Sequence, residues 1–221
     1  MRILRIQNPE NNSPFAPEWN YFILESKLDD PKTVNGLRDI ILSKEKEILD
    51  TTPTPENDNG NTSLGPNSLT SRFSYFNVLS WEYEEVMTLY NFIKEHYHAF
   101  LNTVGYEVPE CSIQCWANVL RKGEKIKVHR HNTAPSSFLS GNITIQAENT
   151  QTHYYVSEVY DPEAYPFYSS NNELGSLNIF QSHMLHDTTV TESKEPRISI
   201  AFDIELGDLT GLTNRKFIKF E

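Results

Sequence analysis

From Arg197 to Ile204 the chain alternates without a break, Arg-Ile-Ser-Ile-Ala-Phe-Asp-Ile, and no other feature constrains the fold as tightly. Only an extended strand sends successive side chains to opposite sides. Ile198, Ile200, Phe202 and Ile204 must therefore share one face, with Arg197 and Ser199 on the other. The same period returns where Ile113, Cys115, Ala117 and Val119 alternate with Gln114, Trp116 and Asn118. Ser137 to Gln146, His153 to Tyr160 and Ser176 to Phe180 also read as strands. Several strands with turn signals between them, all after Gly105, predict a mainly β fold of sandwich or barrel type.

The N-terminal half reads differently. A short aromatic-aliphatic run from Trp19 to Leu24 predicts a strand. Asp30-Pro31 then provides an N-cap and a first helical residue for a helix carrying Leu37, Ile40, Ile41 and Ile48 and ending near Asp50. Thr51 to Ser71 is rich in Thr, Pro, Asn and Gly; a segment of that length without elements of its own is either a functional lid or disordered. Ser80 is a candidate cap for a second helix. There Glu82, Glu84 and Glu85 favour the positive end, and Val86, Leu89, Ile93, Tyr97 and Phe100 form an apolar stripe. His96 and His98 point to different sides of that helix and are read as ordinary histidines. The expected organisation is one domain over 1–221, with an N-terminal helical extension over 1–105 and a β core over 106–221.

A chain of 221 residues with 38% hydrophobic and 12% aromatic residues can bury a substantial core in one domain. No apolar run approaches the roughly 18 residues that a membrane span needs. The basic, apolar start Met1-Arg2-Ile3-Leu4-Arg5-Ile6 is too short for a signal peptide. Cys111 and Cys115 lie about 13 Å apart along a strand, too far to bridge, and two thiols suit a reducing compartment. These features lead us to expect a soluble, cytoplasmic protein without a membrane partner. The net charge of −11 argues against nucleic acid as a partner.

Three features of the second half carry chemistry. His129 and His131 sit two apart, in or just beyond the extended run Ile126-Lys127-Val128, so both imidazoles can converge while Arg130 points away. His186 lies 55 residues after His131, with His183 as a competitor; a set of three imidazoles suits Fe, Zn, Cu or Ni. Arg197 and Ser199, side by side on their strand, can bind a carboxylate, the arginine through two parallel hydrogen bonds. Taken singly, each has an ordinary structural explanation: solvated histidines in a turn, or a strand with a polar outer face.

In order, however, they read H-x-H, a 55-residue gap, H, eleven residues, R-x-S. This resembles the Fe(II)/2-oxoglutarate oxygenase superfamily, whose usual pattern is H-x-D/E, a gap of similar size, H and R-x-S. Trp116-Ala117-Asn118-Val119, Gly123, His129-Arg130-His131 and Leu139-Ser140-Gly141-Asn142 resemble the W-x-N, G, H-x-H, L-S-G string of a prolyl-hydroxylase-like branch found in bacteria and marine phages. Phe180 to His186 resembles that branch's F-P-S-x-x-x-H segment, which favours His186 over His183. The resemblance covers roughly Cys111 to Glu205. It implies a double-stranded β-helix (a jelly roll) behind the helical layer, and a hydroxylase in which His129, His131 and His186 hold Fe(II). Dioxygen and 2-oxoglutarate would be consumed, with succinate and carbon dioxide released, in host cytoplasm if the chain is phage-encoded. Arg197 and Ser199 would bind the distal carboxylate of 2-oxoglutarate, with Asn118, Ser140 and Thr144 as further contacts. His131 departs from the usual carboxylate ligand, leaving the iron site one unit more positive and harder to oxidise. Asp187 is a fallback ligand or an acceptor for an imidazole N–H. The substrate implied is a peptide or protein side chain, or a small molecule. Two alternatives stay open: a three-histidine cupin-type dioxygenase without 2-oxoglutarate, and a non-catalytic β-barrel.

Overall fold

The structure, a computed structural model, describes residues 1–7, 13–15, 18–56, 62–156 and 167–220. Its strands are β1 (Arg2–Gln7), β2 (Asn20–Lys27), β3 (Cys111–Leu120), β4 (Ser137–Gln146), β5 (Gln151–Tyr155), β6 (Phe167–Asn171), β7 (Ser176–Gln181), β8 (His186–Thr188), β9 (Arg197–Leu206) and β10 (Ile218–Phe220). They form a seven-stranded sheet in the order β1-β2-β7-β4-β9-β3-β10 and a three-stranded sheet in the order β6-β5-β8. Neighbouring strands pair antiparallel throughout. Together the two sheets make the double-stranded β-helix.

The register gives the large sheet two unlike faces. Ile113, Cys115, Ala117 and Val119 on β3 lie opposite Ile204, Phe202, Ile200 and Ile198 on β9. With Ile143, Ile179 and Leu24 they form one apolar core. Helices α1 (Pro31–Thr51) and α2 (Glu84–Val104) cover this face through Leu37 and Ile41, and through Leu89, Ile93 and Tyr97. On the other face Asn118, Ser199 and Thr144 stand side by side across three strands. That polar face is buried too, and every residue of β3 is buried. A strand enclosed on both faces normally reads as continuously apolar; here one face keeps polar residues instead.

The helices follow the predicted stripe, with Val86, Leu89, Ile93, Tyr97 and Phe100 all buried. Asp30 caps α1, accepting from the backbone N–H of Lys32 (3.1 Å) and Thr33 (3.2 Å). Ser80 does not cap α2. It ends a short 3-10 turn, Val78–Ser80, and the helix begins four residues later after Tyr83, whose side chain makes no capping bond. Gly105, at φ 75°, closes α2 in the left-handed conformation that glycine adopts without strain.

Four strands lack a sequence signal: β1 at the sheet edge, β6 in the small sheet, β8 with three residues, and β10. The predicted strand at 153–160 is observed as β5 up to Tyr155, and 157–160 lie outside the described residues, as do 57–61 of the Thr51–Ser71 segment. The described end of that segment packs inward, with Thr62 buried and its carbonyl accepting from Lys127 N (3.1 Å). Among the described residues no helix is long and apolar enough to cross a membrane. Both cysteines are free and buried.

Candidate active site

His129 and His131 come from the connection between β3 and β4, not from a regular strand. His129 forms an isolated antiparallel bridge with His186, the first residue of β8. Their backbones exchange two hydrogen bonds, His129 N to His186 O at 3.0 Å and His186 N to His129 O at 2.9 Å. His131 N donates to Ser182 O at 3.0 Å. These bonds hold the H-x-H pair against β8, and the ligand-capable nitrogens of His129, His131 and His186 all lie within 4.8 Å of one another.

Each Nδ1–H has an acceptor. His129 donates to Lys127 O (2.8 Å), His186 to Met184 O (3.0 Å) and His131 to Asp203 Oδ1 (2.5 Å). The acceptors place the proton on Nδ1 and leave the Nε2 lone pairs free. Two of those, on His131 and His186, sit 3.2 Å apart. Lone pairs aimed at one another repel unless a cation lies between them, so the donor set fits a metal such as Fe(II). Burial, with the neighbouring His131, lowers the pKa of His129 to about 4, and burial drives His186 well below its ordinary value. Both are therefore neutral, as metal ligation requires.

His183 is not part of this cluster; its ring lies against Tyr21. Asp187 faces away, accepting from His153 Nδ1 at 3.1 Å. Arg130, expected to turn away, borders the same cavity because its segment is not a regular strand.

That cavity, of about 130 Å3, runs from the imidazoles to Arg197. Arg197 is 2% exposed, and its Nε and Nη1 have no hydrogen-bond partner. A buried guanidinium with unpaired N–H groups is costly; burial lowers its pKa to about 10, so it still carries its charge at neutral pH. Its unpaired N–H groups, on a side chain that borders the cavity, suit it to receive a carboxylate. Ser199 and Asn118 border the cavity beside it, 3.5 Å from each other through Oγ and Nδ2. Thr144 stands across from Ser199 with its hydroxyl unpaired, but it does not border the cavity. Ser140 is placed behind His131, with its Oγ 2.7 Å from Asp203 Oδ1 and 2.9 Å from Ser182 Oγ.

Sequence reasoning missed Asp203 and Arg215. Arg215 donates to Asp203 Oδ2 (2.6 Å), Gln114 Oε1 (2.5 Å) and Glu205 Oε1 (3.3 Å), with its guanidinium over Phe217, Phe73 and Trp116. Asp203 lies on the Arg197–Ser199 face of β9 and was available from the alternation; its partner His131, 72 positions away, was not. Asn142, Thr152 and Thr188 also border the cavity, and no sequence signal marked them.

A family model described as "Putative 2OG-Fe(II) oxygenase" matches residues 114–203, which hold all three histidines, Arg197, Ser199 and Asp203. The fold is similar to that of a prolyl-4-hydroxylase from Pseudomonas putida, with TM-score 0.56 and 11% identity over 84% of this chain and 93% of that one. It is also similar to AviO1 from Streptomyces viridochromogenes Tue57, with TM-score 0.57 and 9% identity over 83% and 89% of the two chains. A third similar structure is the α-ketoglutarate-dependent epimerase SnoN from nogalamycin biosynthesis, with TM-score 0.55 and 9% identity over 84% and 76%. No curated protein matches by sequence. Over residues 114–203 the chain thus matches the Fe(II)/2-oxoglutarate oxygenase family model, and the site is that of a 2-oxoglutarate-dependent dioxygenase that uses Fe(II) and dioxygen.

Proposed function

We propose that His129, His131 and His186 bind the iron through Nε2, and that Arg197 and Ser199 bind the distal carboxylate of 2-oxoglutarate. The observation that carries this reading is the pairing of three outward-anchored imidazoles with an unpaired buried guanidinium across one cavity. The bound metal supplies dioxygen activation, coupled to conversion of 2-oxoglutarate to succinate and carbon dioxide. The chain's residues do the rest. Backbone carbonyls of Lys127 and Met184 orient two imidazoles, Arg197 fixes the far end of the co-substrate, and Asn118 steadies Ser199. Phe180, Trp116 and Ile126 border the cavity and exclude water.

We further propose that the substrate enters as a side chain of a peptide or protein. A cavity of about 130 Å3 is far below the roughly 300–1,000 Å3 of pockets that enclose whole drug-sized ligands. With 2-oxoglutarate inside, only the tip of a larger substrate fits. Similarity to a prolyl-4-hydroxylase supports the same class.

The test is succinate production under Fe(II) and air. It should require added 2-oxoglutarate, fall to background in His186→Ala, and rise with short peptides of varied side chains. Metal-dependent oxygen uptake that ignores 2-oxoglutarate would favour the cupin-type reading. Stimulation by free small molecules and by no peptide would overturn the substrate class.

A further inference from the structure

The three imidazoles are not backed equally. His129 and His186 lean on neutral carbonyl oxygens, whereas His131 leans on a carboxylate, Asp203 Oδ1 at 2.5 Å. His131 also stands where related oxygenases carry a carboxylate ligand. Asp203 is 3% exposed and held by donors on both oxygens: Ser140 Oγ shares Oδ1 with His131, and Arg215 donates to Oδ2. Arg215 does not cancel its charge, because the same guanidinium also pairs with buried Glu205 at 3.3 Å. Two carboxylates against one guanidinium leave one negative charge on the far side of His131.

We propose that Asp203 is a positioning residue that supplies, through the His131 imidazole, the negative charge missing from the ligand set, so that His131 and Asp203 together act as one anionic ligand. The inference rests on the three-imidazole reading of the metal site. A charged acceptor on Nδ1–H makes Nε2 a stronger donor than a carbonyl does. It also returns the site to the net charge of a two-histidine, one-carboxylate site with the carboxylate one residue further out. The ligand pattern departs from its relatives in identity while keeping its charge.

The experiment compares wild type, Asp203→Asn, His131→Asp and the double variant His131→Asp/Asp203→Asn, measuring Fe(II) affinity anaerobically and the Fe(III)/Fe(II) potential. Asparagine still accepts from Nδ1–H but carries no charge. Asp203→Asn should bind Fe(II) at least about tenfold more weakly and shift the potential to more positive values. His131→Asp alone sets two carboxylates face to face and should bind worse than the double variant, which restores one carboxylate with a neutral group behind it. Wild-type affinity and potential in Asp203→Asn would overturn the proposal. So would equal binding by His131→Asp and the double variant, and this second comparison decides the matter if Asp203→Asn fails to fold. Failure of wild type to bind stoichiometric Fe(II) would instead remove the three-imidazole reading.

Discussion

On the proposed reading, Arg197 is a side chain built for a molecule outside the chain. Its burial is complete enough to lower its pKa, yet two of its nitrogens have no acceptor within the protein. Leaving such donors buried and unpaired costs about 1–3 kcal/mol. Arg197→Met, similar in length and apolar, should therefore leave the ligand-free protein at least as heat-stable as wild type while removing the stabilisation conferred by 2-oxoglutarate. A thermal melt with and without the co-substrate measures both; a large loss of stability in the ligand-free variant would mean that Arg197 serves the fold. The R-x-S pair was legible in sequence because its spacing belongs to one strand. The Asp203–His131 contact was not, since it joins residues whose approach depends on how β9 and the β3–β4 connection fold together.

Elements were legible wherever one face is apolar and long. Both helices follow their stripes, and β9 follows its alternation without a shift. Where the signal was local chemistry alone, the outcome was mixed. Asp30 caps its helix, but Ser80 is consumed by a 3-10 turn. The Thr33 side chain and backbone lower the Asp30 carboxyl below its ordinary 3.8. Its contribution is thus present above about pH 3.8 and lost as pH falls through the lower folded value. Asp30→Ala should lower the melting temperature at pH 7 and converge on wild type in acid. Gly141 on β4 has a different reason for being glycine. A Cβ there would lie 2.3 Å from Phe202 Cζ and 2.5 Å from Asn178 O, on strands to either side. The clashing Phe202 Cζ lies on the ring's rotation axis, so the whole side chain must shift, and the carbonyl belongs to the sheet. Gly141→Ala should cost about 1–3 kcal/mol, read as a lower denaturation midpoint, and Phe202→Leu should relieve only part of it. Short strands such as β8 and β10 were invisible because three residues cannot establish a period, and β10 lies beyond the segment that the resemblance covers.

At the scale of the whole molecule, the site draws its residues from both sheets. Arg197, Ser199 and Asp203 belong to the large sheet and His186 to the small one, while His129 and His131 lie on the connection held against β8. A metal on all three imidazoles would tie these parts together, adding to the smaller apolar cluster of Tyr21, Ile23, Tyr154, Phe180 and Met184 that also bridges the two sheets. A ligand that binds only the folded state, at 100 times its dissociation constant, adds about 2.7 kcal/mol of stability. The local effect should be uneven. The amides of His129, His131, His186 and Thr188 bond within the site segment, to His186 O, Ser182 O, His129 O and Ile126 O. Those four should exchange hydrogen for deuterium more slowly once a redox-inert divalent metal such as Mn(II) is bound. Amides in α1, remote from the imidazoles behind the large sheet, exchange through openings that do not release the metal and should keep their rates. Equal slowing everywhere would mean that the metal stabilises only against global unfolding. No slowing at His129 and His186, at metal concentrations that saturate binding, would place the ion elsewhere.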